Sequence, residues 1–427
     1  MRRFATALAL WLCALPESFA EISLDKCLTA AEENYPLIER YGIIDNTTDV
    51  SLTDINKSWL PRINAYGQAT MQNIVPEFPD ALNEVLAKLG QEAKGIGRTQ
   101  YKLGVDVTQT IWDGGSSKAQ RDISRASSTE QKTAIAVKIY AVREKVIDLY
   151  FGILLIEEQI AQTENTVSLL KANHSLMTAM KAGGVAMQSD VDMVEAELLT
   201  MTQQLLSMQS AEKAYRGLLS IYTGANLDRE KLVRPAATIP DTLESARPEL
   251  EWFRARADYN NSRDAAVESS LKPRIGFFAQ AWYGYPGINY FESMVSRDLS
   301  FNALAGVKIS WNIDSFYTRQ NSRRKLQLAN DGVENDRDVF LFNTRLQTRE
   351  QTEAIEGLRA VMAEDARIVA LRSSVRMAAE SQLRNGVIDA TALLSKITEE
   401  NQARLTATYH ELQLLHDIYK LKHTLNR

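Results

Sequence analysis

The sequence predicts a mixed α and β fold in which long helices dominate and four strands come in two pairs. Residues 101–115 and 305–316 alternate apolar and polar side chains with the period of two that is typical of a strand. Each stretch then runs into a helical pattern of unusual length. The same order of elements follows both stretches, so we expect two copies of one plan.

Composition and charge restrict the class of protein. The 427 residues are 45% hydrophobic and 24% charged, which is typical of a folded chain and not of a disordered one. The formal net charge of −5 argues against nucleic acid as the main partner. After the N-terminal segment, no stretch reaches the roughly 18 consecutive apolar residues that indicate a transmembrane helix.

Residues 1–20 have the pattern of a secretory signal peptide. Arg2 and Arg3 precede a short apolar run, and residues 18–20 form a small-x-small cleavage site. The alternative is a buried N-terminal helix. Cleavage would leave Cys27 as the remaining cysteine of the chain, so no internal disulfide is expected.

The first copy is predicted to span residues 21–225, and a looser connector follows at 226–245. In order, its elements are a helix over 21–58 that is interrupted at 34–36, a β-hairpin over 59–112 with a loop at 72–100, a helix over 116–182, a turn at 183–189 and a helix over about 189–222. No proline interrupts the long helix, which at 1.5 Å per residue would be about 100 Å long.

The second copy is predicted to span residues 246–427. Pro36 and Pro61 lie 25 residues apart, as do Pro248 and Pro273, so the two hairpins begin at equivalent points. The elements are a helix, a β-hairpin over 273–314 with a loop at 284–303, an unbroken helix over about 317–384, a turn at 385–390 and a helix from about 390 onwards.

Four strands cannot close a barrel by themselves, because about eight is the minimum. Open strand edges are not tolerated in lipid, since their backbone groups would lack hydrogen-bond partners. An exported chain of this kind is therefore expected either to assemble with other copies to close a barrel or to stay out of the membrane.

Three short motifs and the duplication itself carry a resemblance to a known family. The motifs are the strand end at 109–115 (QTIWDGG) and the turns at 184–191 (GVAMQSDV) and 386–393 (GVIDATAL). In this order and at these spacings the chain resembles the TolC-like outer-membrane efflux protein family, also called outer membrane factors, over essentially all of residues 21–427. Each motif alone is common, and it is their combination that is specific.

The resemblance implies a homotrimer in the outer membrane of a Gram-negative-type bacterium, with a large periplasmic part. Each chain would give four transmembrane strands to a shared twelve-stranded β-barrel, and the long coiled-coil-like helices would form a trimeric α-barrel, the periplasmic tunnel. A periplasmic adaptor (membrane fusion) protein and an inner-membrane transporter would dock on it. The implied function is a passive duct for efflux or secretion. The alternative is a soluble periplasmic coiled-coil scaffold.

The sequence offers no catalytic constellation, so an enzyme such as an envelope hydrolase is not expected. The four histidines lie on helical patterns without cysteine or carboxylate partners at metal-ligand spacing, and no metal or cofactor is expected. They are His174, His410, His416 and His423.

The turns that end the long helices are the candidate periplasmic gate. The gate candidates are Asp190, Asp192, Asn385 and Asp389. In a trimer each carboxylate would recur three times around the axis, and a carboxylate ring favours cations. The alternative is helix capping, because Ser189 and Asp389 are each expected to open a helix. Ala392 stands where the family usually has an acid in the second turn, which departs from the family pattern.

The remaining candidate residues lie in the same turns and in the strands. The expected adaptor contacts are Gly183, Gly184, Val185, Gly386 and Val387. The expected membrane-interface aromatics are Trp59, Trp112 and Trp311, for which a role as core tryptophans is the alternative. The expected pore-facing strand residues are Lys102, Asp106, Lys308 and Asn312, while the apolar strand faces would meet lipid.

Overall fold

The computed structural model describes residues 21–90, 95–228 and 230–427. The predicted signal peptide lies outside these residues. The chain forms two compact units. Among the described residues, the first is built from 21–41, 133–228, 230–251 and 337–427, and the second from 42–90, 95–132 and 252–336.

The helices and strands follow one another in a similar order in two successive parts of the chain. The first copy contains α1 (Leu24–Asn34), a 3₁₀ turn (Pro36–Ile38), α2 (Glu39–Lys57), β1 (Arg62–Met71), α3 (Asp80–Lys88), β2 (Thr99–Trp112), α4 (Ser116–Ala182) and α5 (Gln188–Thr223). The second contains α6 (Pro248–Ser270), β3 (Arg274–Tyr285), α7 (Tyr290–Val295), β4 (Ser300–Ser310), α8 (Ser315–Met362), α9 (Asp365–Arg384) and α10 (Ala390–Leu425).

Three details of the sequence prediction are wrong. The expected loop at 72–100 contains α3, whose Leu82, Val85 and Leu89 follow a helical spacing that the flanking prolines and glycines obscured. The loop at 284–303 likewise contains α7. The expected unbroken helix over 317–384 is interrupted between α8 and α9.

Asn312 is also misplaced, because β4 ends at Ser310 and this residue lies outside the strand. Ser310 pairs with Arg274, the first residue of β3. The next position on that side is Pro273, which has no N–H to donate to a ladder. Pairing therefore stops there, and Asn312 is a junction residue that instead contacts Ser315.

The second unit is organised by one antiparallel sheet with the order β1-β2-β3-β4. Ala65 of β1 pairs with Val105 of β2, which pairs in turn with Ala281 of β3, while Ala279 of β3 pairs with Ala305 of β4. A register shift near Thr110 is the irregularity recorded between β2 and β3. Within this part of the chain, β1 and β4 are the edges of the sheet.

The helices that adjoin the sheet in the second unit are joined by polar contacts. Asp264 of α6 accepts two hydrogen bonds from Arg323 of α8, each 2.9 Å long, and Glu268 accepts two from Arg319. One helical turn away along α6, Asn260 donates to Asn330 at 3.0 Å. This face therefore fixes α6 against α8 by directional contacts more than by apolar packing.

The first unit has an apolar core around the middle of α4. Tyr150 is fully buried there, and its hydroxyl contacts the carbonyl oxygens of Ile22 at 2.8 Å and Val233 at 2.7 Å. The chain ahead of α1 is thereby tied to the connector, where Ile22 and Leu232 form a parallel bridge. Cys27 of α1 lies in the same cluster, is 1% exposed and has a pKa raised to about 11 by burial.

The end of α10 carries a half-buried histidine in a positively charged setting. The ring of His423 stacks on Tyr140 with 4.5 Å between centroids, and the guanidinium groups of Arg143 and Arg247 lie over the same tyrosine. Burial, and then the charges of Arg247 and Arg143, lower the pKa of His423 to about 4, against a weaker opposing effect of Asp148. The imidazole is therefore neutral in the folded protein at neutral pH.

We predict that His423 makes the fold sensitive to acid. Below its ordinary pKa of 6.5 the unfolded imidazole binds a proton that the folded one does not take up until about pH 4. Its contribution to the free energy of unfolding is thus complete above pH 6.5 and is lost between 6.5 and about 4. We expect this contribution to the free energy of unfolding to be about 2 kcal/mol, after a reduction for the partial solvent exposure of the His423 side chain.

The measurement is the melting temperature in detergent across this range for the native chain and His423→Phe, which keeps a ring against Tyr140. The native chain should lose more stability on acidification than the variant does. Parallel curves for the two proteins would contradict the assignment.

Candidate functional site

One face of the sheet is apolar and exposed. The register places the following side chains on it: Ile63, Ala65, Ala69, Met71, Tyr101, Leu103, Val105, Val107, Ile275, Phe277, Ala279, Ala281, Tyr283, Phe301, Ala303, Ala305, Val307 and Ile309. No charged residue shares this face of the four strands, and Phe301 is 73% exposed. A continuous apolar surface of this kind marks contact with a membrane or another protein.

The opposite face of the sheet carries the charged and polar strand residues. Lys102 and Asp106 lie on it, and so does Lys308, which pairs with Gly276. Lys102 places its ammonium group 5.4 Å from the centroid of the Trp282 ring. That this face lines a pore stays a prediction.

Glycines on the polar face make room for aromatic rings. A Cβ atom at Gly104 would lie 2.8 Å from Cβ of Trp282 and 2.9 Å from the ring of Tyr66. At Gly306 it would lie 3.0 Å from the ring of Phe278. The rings therefore lie across the neighbouring strands, and the periodic pattern alone gave no signal of this packing.

Exposed tryptophans stand at the strand ends that adjoin helices. Trp59 lies three residues before the start of β1, Trp112 ends β2 and Trp311 directly follows β4. All three are exposed, and Nε1 of Trp311 donates to the carbonyl oxygen of Leu271 at 2.8 Å. The alternative of a buried core role is wrong for these tryptophans within this chain.

The junction between β2 and α4 is held by a carboxylate. Asp113 accepts hydrogen bonds from the backbone N–H of Gly115 at 2.9 Å and of Ser117 at 2.6 Å. Gly114 has φ of +71°, and a Cβ there would lie 2.8 Å from Cβ of Lys272. The Trp-Asp-Gly-Gly motif is thus a helix-opening turn, which lets a strand pass directly into a long helix.

The two turns at the far ends of the long helices have the same backbone hydrogen bonds. In the first, Val185 N–H donates to Met180 O and Gly184 N–H to Lys181 O, both at 2.9 Å. In the second, Val387 N–H donates to Gln382 O and Gly386 N–H to Leu383 O, also at 2.9 Å. This is the Schellman motif, in which a left-handed glycine ends a helix. The φ angles are +77° at Gly184 and +68° at Gly386.

Both turns present valines to solvent. Val185 is 68% exposed and Val387 is 69% exposed. In a Schellman motif this position commonly packs back on the helix that it ends. Here both valines point away instead, so each turn offers an apolar contact point.

The carboxylates in the turns are engaged as helix caps. Asp190 accepts from the backbone N–H of Met187 at 2.8 Å, and Asp389 accepts from that of Ala392 at 2.8 Å. The expectation that Ser189 opens a helix is wrong, because α5 begins at Gln188 with Met187 at its N-cap. Asp190 at the third helical position satisfies the cap instead, which the serine-based pattern missed.

The other two gate candidates also have local partners. Asp192 accepts from the side chain of Gln188 at 2.5 Å, and Asn385 donates to the carbonyl oxygen of Ser381 at 2.8 Å. Asn385 and Asp389 lie in the second turn, whereas Asp190 and Asp192 lie within the first five residues of α5, directly after the first turn. Capping by Asp190 and Asp389 does not exclude an electrostatic role at the same point.

The two turns sit on one apolar cluster with a buried ion network beside it. The cluster joins α4, α5, α9 and α10 through residues such as Met177, Val194 and Leu393. Glu400 of α10 is buried and is paired with Arg376 and Arg404. Burial raises the pKa of Glu400, but hydrogen bonds from the two arginines outweigh it, so the carboxyl pKa is lowered.

Three of the histidines have carboxylate partners that sequence spacing did not reveal. Nδ1 of His410 lies 2.8 Å from Asp365, Nε2 of His416 lies 2.9 Å from Asp148, and His174 lies 4.0 Å from Glu195. In residues 21–90, 95–228 and 230–427, no group of three or more side chains could hold a metal ion.

Over the described part of the chain, none of the helices combines the length and the apolar character needed to cross a membrane.

Comparison with known proteins agrees with this geometry. Residues 55–221 match the family model described as outer membrane efflux protein. Over this stretch, which is less than half of the chain, the sequence is similar to that family. The sequence matches no curated protein at a significant level.

Several solved channels have the same fold as this chain. The outer-membrane channel OprN is 14% identical with a TM-score of 0.66, covering 94% of this chain and 89% of that one. VceC from Vibrio cholerae is 11% identical with a TM-score of 0.65, covering 94% and 95%. The open state of the MtrE channel from Neisseria gonorrhoeae is 12% identical with a TM-score of 0.64, covering 94% and 88%. The predicted fold class, long helices with a four-stranded sheet, is confirmed.

We predict that the turn glycines are required for their backbone conformation and not for space. Nothing lies within 4 Å of a Cβ at Gly184 or Gly386, so an alanine there meets only the strain of a left-handed backbone. Gly184→Ala or Gly386→Ala should each cost about 1 kcal/mol, seen as faster amide exchange over the turn.

The matched control is Gly183→Ala, since Gly183 has no left-handed φ and its nearest neighbour is 3.5 Å away. That change should be neutral. Equal exchange rates in all three variants would contradict the prediction.

Proposed function

We propose that this chain is the outer-membrane channel of a tripartite export system, a passive duct from the periplasm and an inner-membrane pump to the exterior. The observation that carries the proposal is the sheet. Its apolar face is exposed over four strands, and the outer edges of β1 and β4 are unpaired within the described chain. A soluble scaffold would leave this surface in water, which is unfavourable over so large an area.

Assembly of three chains would give each unpaired sheet edge a strand to pair with. Four strands from each copy give twelve, which exceeds the minimum of about eight for a closed barrel. Joining β4 of one copy to β1 of the next would pair both edges. The polar face with Lys102 and Asp106 would then line the lumen, and Asn312 would lie at the lumen's end, outside the strands.

The helices offer a second surface for the neighbouring copies. Exposed apolar side chains recur at helical spacing along α8 and α9: Val339, Phe342, Leu346, Ile368, Leu371 and Val375. Such a stripe predicts packing against another helix. In a homotrimer the α4 and α8–α9 helices, each about 100 Å long, would then form the periplasmic tunnel.

The tryptophans at the junctions would mark one membrane boundary. Trp59, Trp112 and Trp311 are exposed where strands give way to helices. An indole ring has an apolar body and a polar N–H, and such rings gather at the interface between lipid and water. The tunnel would begin at this level and end at the two turns, where the adaptor and, beyond it, the pump would dock.

We predict that Asp389 contributes charge at the tunnel entrance. The purified protein should form ion channels in planar bilayers, and Asp389→Asn should lower cation selectivity because a neutral amide removes one charge per chain. Asparagine is a good N-cap residue, so this variant keeps the helix cap. Asp389→Ala removes both the charge and the helix cap. It should therefore in addition lower the stability of the turn by about 1 kcal/mol.

Channels with unaltered selectivity in Asp389→Asn would exclude Asp389 from the entrance. A native protein that forms no channels at all would contradict the duct itself.

We further predict that both turns contact the adaptor. Val185→Cys and Val387→Cys should each capture the adaptor with a short thiol cross-linker in intact cells. Ile221→Cys is the matched control, since Ile221 is 73% exposed on α5 but far along the chain from either turn. Capture at Ile221→Cys equal to that at the turns, or none at the turns, would contradict this docking site.

A further inference from the structure

The loop between β1 and β2 contains an amphipathic helix that the proposed duct does not use. Leu82, Val85 and Leu89 lie at positions i, i+3 and i+7 along α3, the last of them at its C-cap, and all three are exposed. Side chains at these spacings share one face of a helix. Within the described chain, α3 therefore carries an apolar stripe that nothing covers.

The other sides of α3 have a different character. Asp80, Glu84 and Lys88 recur every four residues and are exposed, which puts the charges about 130° around the helix axis from the apolar stripe. Asn83, on a third side, is half-buried, and its Nδ2 donates to the carbonyl oxygen of Phe78 at 3.2 Å. One side of α3 thus contacts its own loop, one suits water and one suits an apolar medium.

The loop that carries α3 is fixed on the apolar side of the sheet. Tyr285 ends β3 and continues the alternation that puts Tyr283 on the apolar face. It is buried, and the cluster around it includes Phe78, which precedes α3, and Ile96, which follows it. The backbone N–H of Gly97 also donates to the hydroxyl of Tyr285 at 2.7 Å. The loop is therefore held on both sides of α3.

The loop between β3 and β4 begins on the opposite face. Ile288 N–H donates to Oδ1 of Asn302 at 2.7 Å, and Asn302 pairs with Trp282 on the polar face. The two loops meet where Phe78 stacks on Phe291 of α7, with 6.1 Å between ring centroids. The apolar side of the sheet is thus the side on which the first loop, with α3, is anchored.

Aromatic side chains stand at the end of the apolar face that is remote from the long helices. Tyr101, Tyr283 and Phe301 are all exposed there, and Tyr283 pairs with Phe301. Tyr101 and Trp112 lie 11 positions apart on β2. A transmembrane β-strand needs roughly 9–11 residues, and aromatic residues line both of its boundaries. In the proposed barrel the outer membrane boundary therefore falls at the level of Tyr101.

The helix α3 begins at this same level. Phe78 lies two residues before α3 and packs in the cluster of Tyr285, which pairs with Tyr101. Between the sheet and α3, Met71 and Ile74 are exposed as well, so apolar side chains continue from the sheet towards the helix. This continuity favours one medium, lipid, along the apolar face and the stripe.

We propose that α3 lies in the surface of the outer leaflet, with its apolar stripe among lipid acyl chains and its charged side in water. This rests on the proposed duct, since the sheet must cross the membrane for α3 to reach its surface. Interfacial helices bury their apolar face by about 5–10 Å. A helix of nine residues is marginal on its own, but here the sheet holds it at the boundary.

The test is the accessibility of spin labels in the full-length protein, reconstituted in vesicles of phosphatidylcholine. Power saturation is measured with oxygen, which concentrates in lipid, and with a nickel chelate, which stays in water. Labels at Leu82→Cys and at Val85→Cys should each respond more strongly to oxygen, at a depth of about 5–10 Å. Both side chains are exposed, so either variant carries the test if the other does not fold.

Glu84→Cys is the matched control, because Glu84 lies on the charged side of the same helix. Its label should respond more strongly to the nickel chelate. Leu103→Cys reports on the sheet, since Leu103 is exposed on the apolar face. Its label should respond to oxygen.

Stripe labels that respond to the nickel chelate as Glu84→Cys does would place α3 in water and overturn the proposal. Stripe labels that neither reagent reaches would place α3 against another protein, such as a second copy of this chain, and would overturn it too. In both cases a label at Leu103→Cys that still responds to oxygen leaves the duct intact. A label at Leu103→Cys that responds to the nickel chelate would contradict the duct and the lipid contact of α3 together.

Discussion

Two features of the four-stranded sheet constrain the rest of the structure. They are its unpaired edges and its exposed apolar face. A sheet edge presents free backbone groups, and an apolar face of this extent is unfavourable in water. Within its described residues, the chain neither pairs these edges nor covers this face. Strand order β1-β2-β3-β4 puts the first and last strands at the two edges, which is the arrangement that allows identical copies to join end to end.

The length and composition of the helices agree with the assembly that the sheet demands. The proposed duct would need walls that remain regular over a long distance, and α4 has no proline and a single glycine in its 67 residues. Asp113 caps the start of α4, and the left-handed Gly184 terminates it. The polar contacts between α6 and α8 then fix the second long helix where it leaves the sheet.

The sequence predicts those features that local chemistry specifies. The limits of α4, α5 and α10 agree with the prediction to within a residue or two, because glycines in the left-handed region and capping carboxylates are local signals. The break between α8 and α9 could not be predicted in this way, since neither proline nor glycine stands between Met362 and Asp365. The pairing of His410 with Asp365 was missed because the two residues are 45 positions apart.

Within the candidate site, too, the sequence predicts what local chemistry specifies and misses what depends on distant residues. Alternation placed Lys102, Asp106 and Lys308 on one face, since the period of a strand is fixed by its backbone. It could not place Trp282 over Gly104, because that contact depends on which strands are neighbours. Asn312 was misplaced because the strand's end is set by Pro273 on the opposite strand and not by its own sequence.

The burial of Cys27 has a practical consequence for work on this chain. A thiol that is 1% exposed and has a pKa of about 11 offers almost no thiolate to a maleimide or a methanethiosulfonate at neutral pH. The other cysteine, Cys13, falls within the predicted signal peptide. The native sequence can therefore serve as its own unreactive background, and probes attached at a turn or on a helix can be interpreted without first replacing a core residue.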